Sequence, residues 1–475
     1  MDPHQDHPRY FSNTHFSRRR FLGAAAAFTI VPRRVLGGGG HIAPSDMINI
    51  AVVGTGGQGI FNMKALLQEP DVRIVALADP NEESDYSAFY YGGTAGRVPA
   101  QKLVAEVYKK LPRGSSDHCA AYLDFRRMFE KEKAIDAVLV ATPDHVHYVA
   151  AMAAIQLGKH VYCEKPLCHA ILETRKLTEA AQTAKVATQM GNFGRSGEGI
   201  RLTCEWIWNG AIGTVREVHA WTEEGPGMTN FLDRPVENPP VPPGLDWDLW
   251  LGPAPYRPYH PAYVPFNWRA WWDFGGGAIG DMACHNLDPA FRALRLGYPA
   301  ATEASFVEGS QETTPHASIV HFDFPALEDR PPVKVHWYDG GLLPQRPDAL
   351  EPGRIMGVDH NGILFIGEKG IIMCGGWSGN PRLIPETAMR AYQRPPKSLP
   401  RSLGHHRDWL NACKGQGETS ANFQEVGPMM EAIFMGQIAI RAGEKLYWDG
   451  PNLRCTNNAT ANDCIHPVYR SGWTL

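Results

Sequence analysis

Apolar and β-branched residues gather at positions 47–53 (MINIAVV), where only Asn49 is polar. A run that is apolar on both faces reads as a strand buried inside a parallel sheet. It leads directly into Gly54-Thr55-Gly56-Gly57-Gln58-Gly59 and then into a helical stretch over 60–68. Further strands are predicted at 72–78, ending on Asp79, at 135–141 (IDAVLVA) and at 160–163. Thr142-Pro143-Asp144 breaks the third of these, and Asp144 is placed to cap the helix that follows. Strands alternating with helices at this spacing predict the α/β class with a doubly wound parallel sheet.

Farther along, the pattern changes. Positions 226–265 hold eleven of the 38 prolines, which excludes ordinary helix or central strand and predicts a long ordered loop. Positions 340–400 carry eight more and also read as loop-rich. The run 423–441 is apolar at helical spacing and predicts a helix packed on the first domain. His405-His406 opens another helix, where a histidine is more often a surface cap than part of a site.

The chain of 475 residues has room for two to three domains. With 46 basic and 50 acidic residues the net charge is −4, which argues against nucleic acid as the main partner. Nine cysteines without a CxxC pair make no disulfide scaffold, and Cys163, Cys168 and Cys284 read as small buried thiols. Ser17-Arg18-Arg19-Arg20-Phe21-Leu22-Gly23 opens an apolar run that ends near Val31, too short for a stable membrane span. A paired-arginine head before such a run reads as a twin-arginine export signal, so residues 1–45 are set apart from the fold and a periplasmic or otherwise exported protein is expected. That route carries folded proteins, which points to a cofactor captured before export.

Gly54, Gly56 and Gly59 fit G-x-G-x-x-G in its proper setting, between a strand and a helix. With Gly57 and Gln58 they would cradle a pyrophosphate at the helix N-terminus. Asp79 lies 20 residues past Gly59, where a carboxylate accepts ribose hydroxyls and repels a 2′-phosphate, so NAD is expected and NADP less so. Thr142, Pro143 and His145 stand at the carboxyl end of a strand, where such sheets bind ligands. His145 and His147 at i, i+2 do not share a helix face, so they make a poor metal pair.

The next words are Glu164-Lys165-Pro166-Leu167 and, about 115 residues later, Gly275-Gly276-Gly277-Ala278-Ile279-Gly280-Asp281-Met282-Ala283-Cys284-His285-Asn286-Leu287-Asp288. The glycine motif, TPDHVH, EKP and this second glycine turn with D-x-x-x-H-x-x-D together resemble the Gfo/Idh/MocA oxidoreductases, in their exported branch. The resemblance implies a Rossmann domain over 46–166. It also implies a substrate and oligomerisation domain over 167–475 with an open, mainly antiparallel sheet, and a homo-oligomer formed through that sheet. It implies a carbohydrate or cyclitol substrate and no resident metal. Lys165, Asp281 and His285 would carry catalysis, Glu164 and Lys165 would border the cofactor, and Lys165-Pro166 would be cis.

The residues themselves suit these roles. Asp281 and His285 at i, i+4 share a helix face, an imidazole suits a base near neutral pH, and a lysine can donate to an oxygen gaining charge. Asp288 faces the same pocket or orients the ring; as a metal set with Asp281 and His285 it lacks an HxH or HExxH companion. Five tryptophans fall between 247 and 272, and of these Trp268 and Trp272, with Arg269, are expected to meet the substrate. Three functions compete: a sugar or cyclitol dehydrogenase, a glycosidase that uses NAD through transient C3 oxidation, elimination and re-reduction, and a cofactor-binding sensor without catalysis.

Overall fold

The computed structural model describes residues 42–110, 118–223, 231–327 and 330–474. The arginine-rich segment read as an export signal lies outside them. The fold proper begins at β1 (Ile48–Val53), followed by β2 (Val72–Ala78), a small hairpin of β3 (Ser84–Asp85) and β4 (Thr94–Ala95), then β5 (Ala120–Tyr122), β6 (Ala137–Val140), β7 (His160–Cys163) and β8 (Thr188–Met190). Six of these form a sheet in the order β5-β2-β1-β6-β7-β8, and every neighbouring pair is parallel. Burial explains the sequence pattern: Ile50, Ala51, Val52 and all of β6 are closed off from solvent on both faces. The sheet continues beyond residue 166, because the helix Ile171–Ala184 and β8 add one more unit to it.

The second sheet is built from β9 (Val215–Thr222), β10 (Ala301–Val307), β11 (Ala317–Phe324), β12 (Val333–Tyr338), β13 (Asn361–Gly367), β14 (Gly370–Gly375), β15 (Arg382–Ile384), β16 (Leu446–Asp449) and β17 (Arg454–Cys455). Its order is β15-β14-β13-β9-β12-β11-β10-β16-β17, with β9 and β12 parallel and the other pairs antiparallel. Three of these strands fall inside 340–400, the span read as loop-rich. Its prolines all stand at 352 or earlier and at 381 or later, so 361–375 is free to pair as β13 and β14.

The helix Phe423–Ala442 is the bolt of the core. It touches β8 and the helix Ile171–Ala184 on one side, and β10, β11 and the helix Gly277–Asn286 on the other. It is therefore apolar nearly all round, and a Cβ on Gly436 would stand 2.7 Å from Ile279 Cδ1. The proline-rich loop lies along the end of the first sheet: Glu82 N donates to Gly244 O and Asp246 N to Pro80 O, at 2.8 and 3.0 Å. Ile433, fully buried in that central helix, is expected to cost about 2–5 kcal/mol of stability on Ile433→Ala, read from denaturant unfolding.

Candidate active site

The glycine turn after β1 has no space for side chains. Gly54 sits at φ +86°, and a Cβ there would lie 2.5 Å from the Ala141 carbonyl oxygen. A Cβ on Gly59 would meet Gly54 O at 2.2 Å, so the helix Gly57–Leu66 approaches the strand as closely as glycine permits. Beyond the carboxyl ends of β1, β2 and β6 opens a cleft bordered by Gly56, Gly57, Gln58, Asp79, Thr142 and Pro143. Asp79 Oδ2 accepts Thr55 N–H at 2.7 Å and its Oδ1 accepts Asn81 N–H at 2.8 Å. Asp79 thus pins the turn as well as edging the cleft.

The β3–β4 hairpin contributes what the sequence reading passed over. A Cβ on Gly56 would stand 2.8 Å from the Tyr86 hydroxyl oxygen, and a Cβ on Gly57 would stand 2.2 Å from Tyr91 Cδ2. The first amides of a helix are the donors that face a phosphate. The Tyr86 hydroxyl oxygen lies close to Gly56 at the start of this helix, and Tyr86, Gly56 and Gly57 all border the cleft. The residues present therefore fit a dinucleotide, with the glycine turn for its pyrophosphate and Asp79 for a ribose. The signal lay in SDYSAFYYGG, an aromatic cluster directly after the Asp79 strand.

A buried charge network lies deeper. Lys165 follows β7 through a cis Lys165–Pro166 bond. Its Nζ donates to Asp281 Oδ1 at 2.8 Å and to Asp281 O at 3.1 Å. Arg269 Nε stands 3.4 Å from the same carboxylate oxygen, and Arg269 also borders the cleft with Trp268. Burial opposes ionisation of Asp281, but Lys165 and Arg269 outweigh it and bring its pKa down to about 2. Burial likewise works against the Lys165 ammonium, and the Asp281 carboxylate overrides it, holding the lysine above its ordinary value.

His285 lies one helical turn past Asp281, buried between the rings of Phe193 and Trp377, with centroids 5.7 Å away in each case. Its Nδ1 stands 2.9 Å from Asn192 Oδ1, and Asn192 Nδ2 donates to Asp288 Oδ2 at 2.9 Å. Asp288 is in turn paired with Arg195. The chain settles the tautomer. Asp288 takes the amide N–H, so Asn192 presents its oxygen, which only accepts, and Nδ1 must carry the proton. Nε2 is left with its lone pair bare. Burial drives the His285 pKa well below 6.5, and the Lys165 cation adds to this, so the ring is neutral near neutral pH.

Other expected site residues stand elsewhere. Glu164 is buried under the glycine helix, where Asn62 Nδ2 and Gln58 Nε2 donate to it at 2.7 and 3.1 Å, and it reaches the cleft only through Gln58. His145 is turned inward, with Nε2 3.1 Å from Trp250 O, and burial lowers its pKa to about 3. Asp144 is the first residue of its helix, after Pro143, and its side chain makes no cap hydrogen bond. Trp272 donates to Ser310 O at 3.1 Å and borders a separate small cavity with His169 and Arg441. Asp288 orients Asn192 rather than facing the cleft. Trp247 and Trp271 are buried in a satellite core, while Trp250 and Trp268 reach the cleft wall. Asn192 escaped the sequence reading because β8, the strand before it, was not expected.

The Tyr86 hydroxyl and a dinucleotide phosphate would compete for the space beside Gly56. Tyr86→Phe, which removes that oxygen, is therefore expected to tighten NAD binding several-fold, as read by titration calorimetry.

Comparison with known proteins places this geometry. Residues 48–192 match the family model described as "Oxidoreductase family, NAD-binding Rossmann fold", and residues 221–298 match "Oxidoreductase family, C-terminal alpha/beta domain". The levoglucosan dehydrogenase of Pseudarthrobacter phenanthrenivorans is 25% identical over 200 residues, 41% of this chain and 43% of that protein. A glycosyl hydrolase family 109 protein of Stenotrophomonas maltophilia is 31% identical over 147 residues, 31% of this chain and 29% of its own. The chain spans less than half the length of the curated relatives it matches. Among solved structures, the WlbA dehydrogenase of Bordetella pertussis in complex with NADH and UDP-GlcNAcA has the same fold, with a TM-score of 0.55 at 16% identity, covering 85% of this chain and 99% of that one. Over residues 48–192 and 221–298, this chain thus matches the NAD-binding and C-terminal domain models of the Gfo/Idh/MocA oxidoreductases.

Proposed function

We propose that the protein moves a hydride between NAD and a hydroxyl-bearing carbon of a sugar, glycoside or cyclitol. The reading includes twin-arginine export, supported by Arg18-Arg19-Arg20 before an apolar run, and a homo-oligomer formed through the second sheet. The observation that carries the chemistry is the Lys165–Asp281 ion pair beside Arg269 of the cleft wall, with the neutral His285 imidazole one helical turn past Asp281 and within electrostatic reach of the Lys165 cation. Nicotinamide, when bound, supplies the hydride acceptor or donor. His285 Nε2 takes the hydroxyl proton as the carbinol C–H bond gives up its hydrogen with the electron pair. Lys165 has three donors and spends two on Asp281, so the third is free for the substrate oxygen. Asp281 keeps the amine charged and aimed, and Asn192 and Asp288 hold the imidazole tautomer. Arg269 and Trp268 on the cleft wall suit a ring bearing hydroxyls. The sugar class is supported by relatives such as the levoglucosan dehydrogenase.

A second reading, a glycosidase that oxidises and re-reduces its own substrate, is favoured by the family 109 relative. Net NADH formation with a free sugar supports the dehydrogenase, whereas turnover of nitrophenyl glycosides without added NAD supports the glycosidase.

His285→Ala is expected to lower kcat/KM by roughly a hundredfold or more, as for loss of a general base. The pH profile carries a further expectation. Nε2 is free above the depressed His285 pKa, so the rate holds through neutral pH and falls only as acid below 6.5 protonates the ring. Lys165, raised above its ordinary 10.5, introduces no alkaline loss below that value.

A further inference from the structure

A second cluster of metal-ligating groups lies on the second sheet, on strands that take no part in the cleft. His219 on β9 and His336 on β12 are register partners, and His336 is also the register partner of His321 on β11. The His219 and His336 rings stack with centroids 4.9 Å apart. Glu217, two residues before His219 and so on the same face of β9, turns its carboxylate between them. Glu217 Oε1 is 3.2 Å from His219 Nε2 and 3.1 Å from His336 Nε2, and one ligand atom from each residue lies within 4.8 Å of the other two.

The other ring nitrogens are already engaged. His219 Nδ1 is 3.0 Å from the Tyr338 hydroxyl, and His336 Nδ1 is 2.6 Å from His321 Nδ1. Both Nε2 atoms thus converge on one carboxylate oxygen while both Nδ1 atoms are held from behind. This is the arrangement by which second-shell partners fix imidazoles as metal ligands. A hydrogen-bond network alone does not complete it. His336 Nε2 is buried and makes no hydrogen bond, despite the carboxylate at 3.1 Å. Two nitrogens at 2.6 Å need one proton between them. When His336 supplies it, its Nε2 lone pair faces the lone pairs of an anion, a repulsion that a cation between them removes. Ligands about 2.0–2.1 Å from a tetrahedral ion stand about 3.3 Å apart, close to the separations found here.

We propose that Glu217, His219 and His336 bind one divalent transition-metal ion of the zinc class, with His321 and Tyr338 orienting the two imidazoles. Two nitrogens and a carboxylate suit Zn²⁺ or Co²⁺ better than the all-oxygen Mg²⁺ or Ca²⁺. The fourth position is left to water, since the carboxylate is part-exposed on this face. The ion would tie β9 to β12, a link independent of the catalytic reading. The spacing could not reveal it, because 117 residues separate the two histidines in sequence and only the parallel β9–β12 pairing joins them.

The test titrates Co²⁺ into EDTA-stripped full-length protein. One equivalent is expected to raise the visible ligand-field bands of a four- or five-coordinate ion, and Zn²⁺ is expected to abolish them. His219→Gln and His336→Gln are each expected to weaken Co²⁺ binding at least tenfold while NAD binding stays unchanged, and His360→Gln, on another loop, to retain the bands. Octahedral spectra only, or equal binding by the His219 and His336 variants, overturns the proposal. If those variants fail to fold, X-ray absorption of the Zn²⁺-loaded wild type decides. Two imidazoles and oxygen donors in the first shell support the site, and any other shell refutes it.

Discussion

The buried ion pair between Lys165 and Asp281 is the constraint on which the rest of the site depends. It joins the turn after β7 in the first sheet to the helix Gly277–Asn286 against the second. Taking two charges out of water costs several kcal/mol each, so such a pair persists only when every charge and lone pair finds a partner. Here Asp281 receives Lys165 and stands near Arg269, and Lys165 also donates to the Asp281 carbonyl. That pairing stands beside Arg269 of the cleft wall and sets His285 one helical turn beyond the carboxylate. The glycines at 275–277 make the approach feasible, since a Cβ on Gly276 would stand 2.1 Å from Gln437 Nε2.

Catalytic polarity then comes from two chains of partners that end in opposite states. Lys165 is held charged by an anion, and His285 is held neutral by burial and by a nearby cation. Neither state belongs to the residue alone. Asn192 and Asp288 never meet the cleft, yet they decide which imidazole nitrogen carries the proton. The tyrosine hairpin adds a third layer, because Tyr86 and Tyr91 lie against Gly56 and Gly57, in the turn that a phosphate would use.

Much of this was legible in the chain. The glycine motif, the strand-end Asp79, the lysine of EKP and the D-x-x-x-H pair each carry their chemistry in local spacing, and the first sheet follows from unbroken apolar runs. What spacing cannot carry is contact between distant segments. Trp272 looked like a stacking surface by its company with Trp268, yet it turns to Ser310, because neighbours in a short irregular segment point to different sides. Glu164 looked like a cofactor contact by its place beside Lys165, yet successive residues leave a strand end in opposite directions. The strands β13 and β14 were hidden by prolines that flank them without entering them.

The account is tested most directly by a crystal structure with NADH and a bound sugar. It predicts the pyrophosphate on Gly56 and Gly57, with the β3–β4 hairpin shifted, and one substrate oxygen within hydrogen-bond reach of both Lys165 Nζ and His285 Nε2. A nicotinamide ring lodged away from those two atoms, or a substrate oxygen reaching neither, would contradict it.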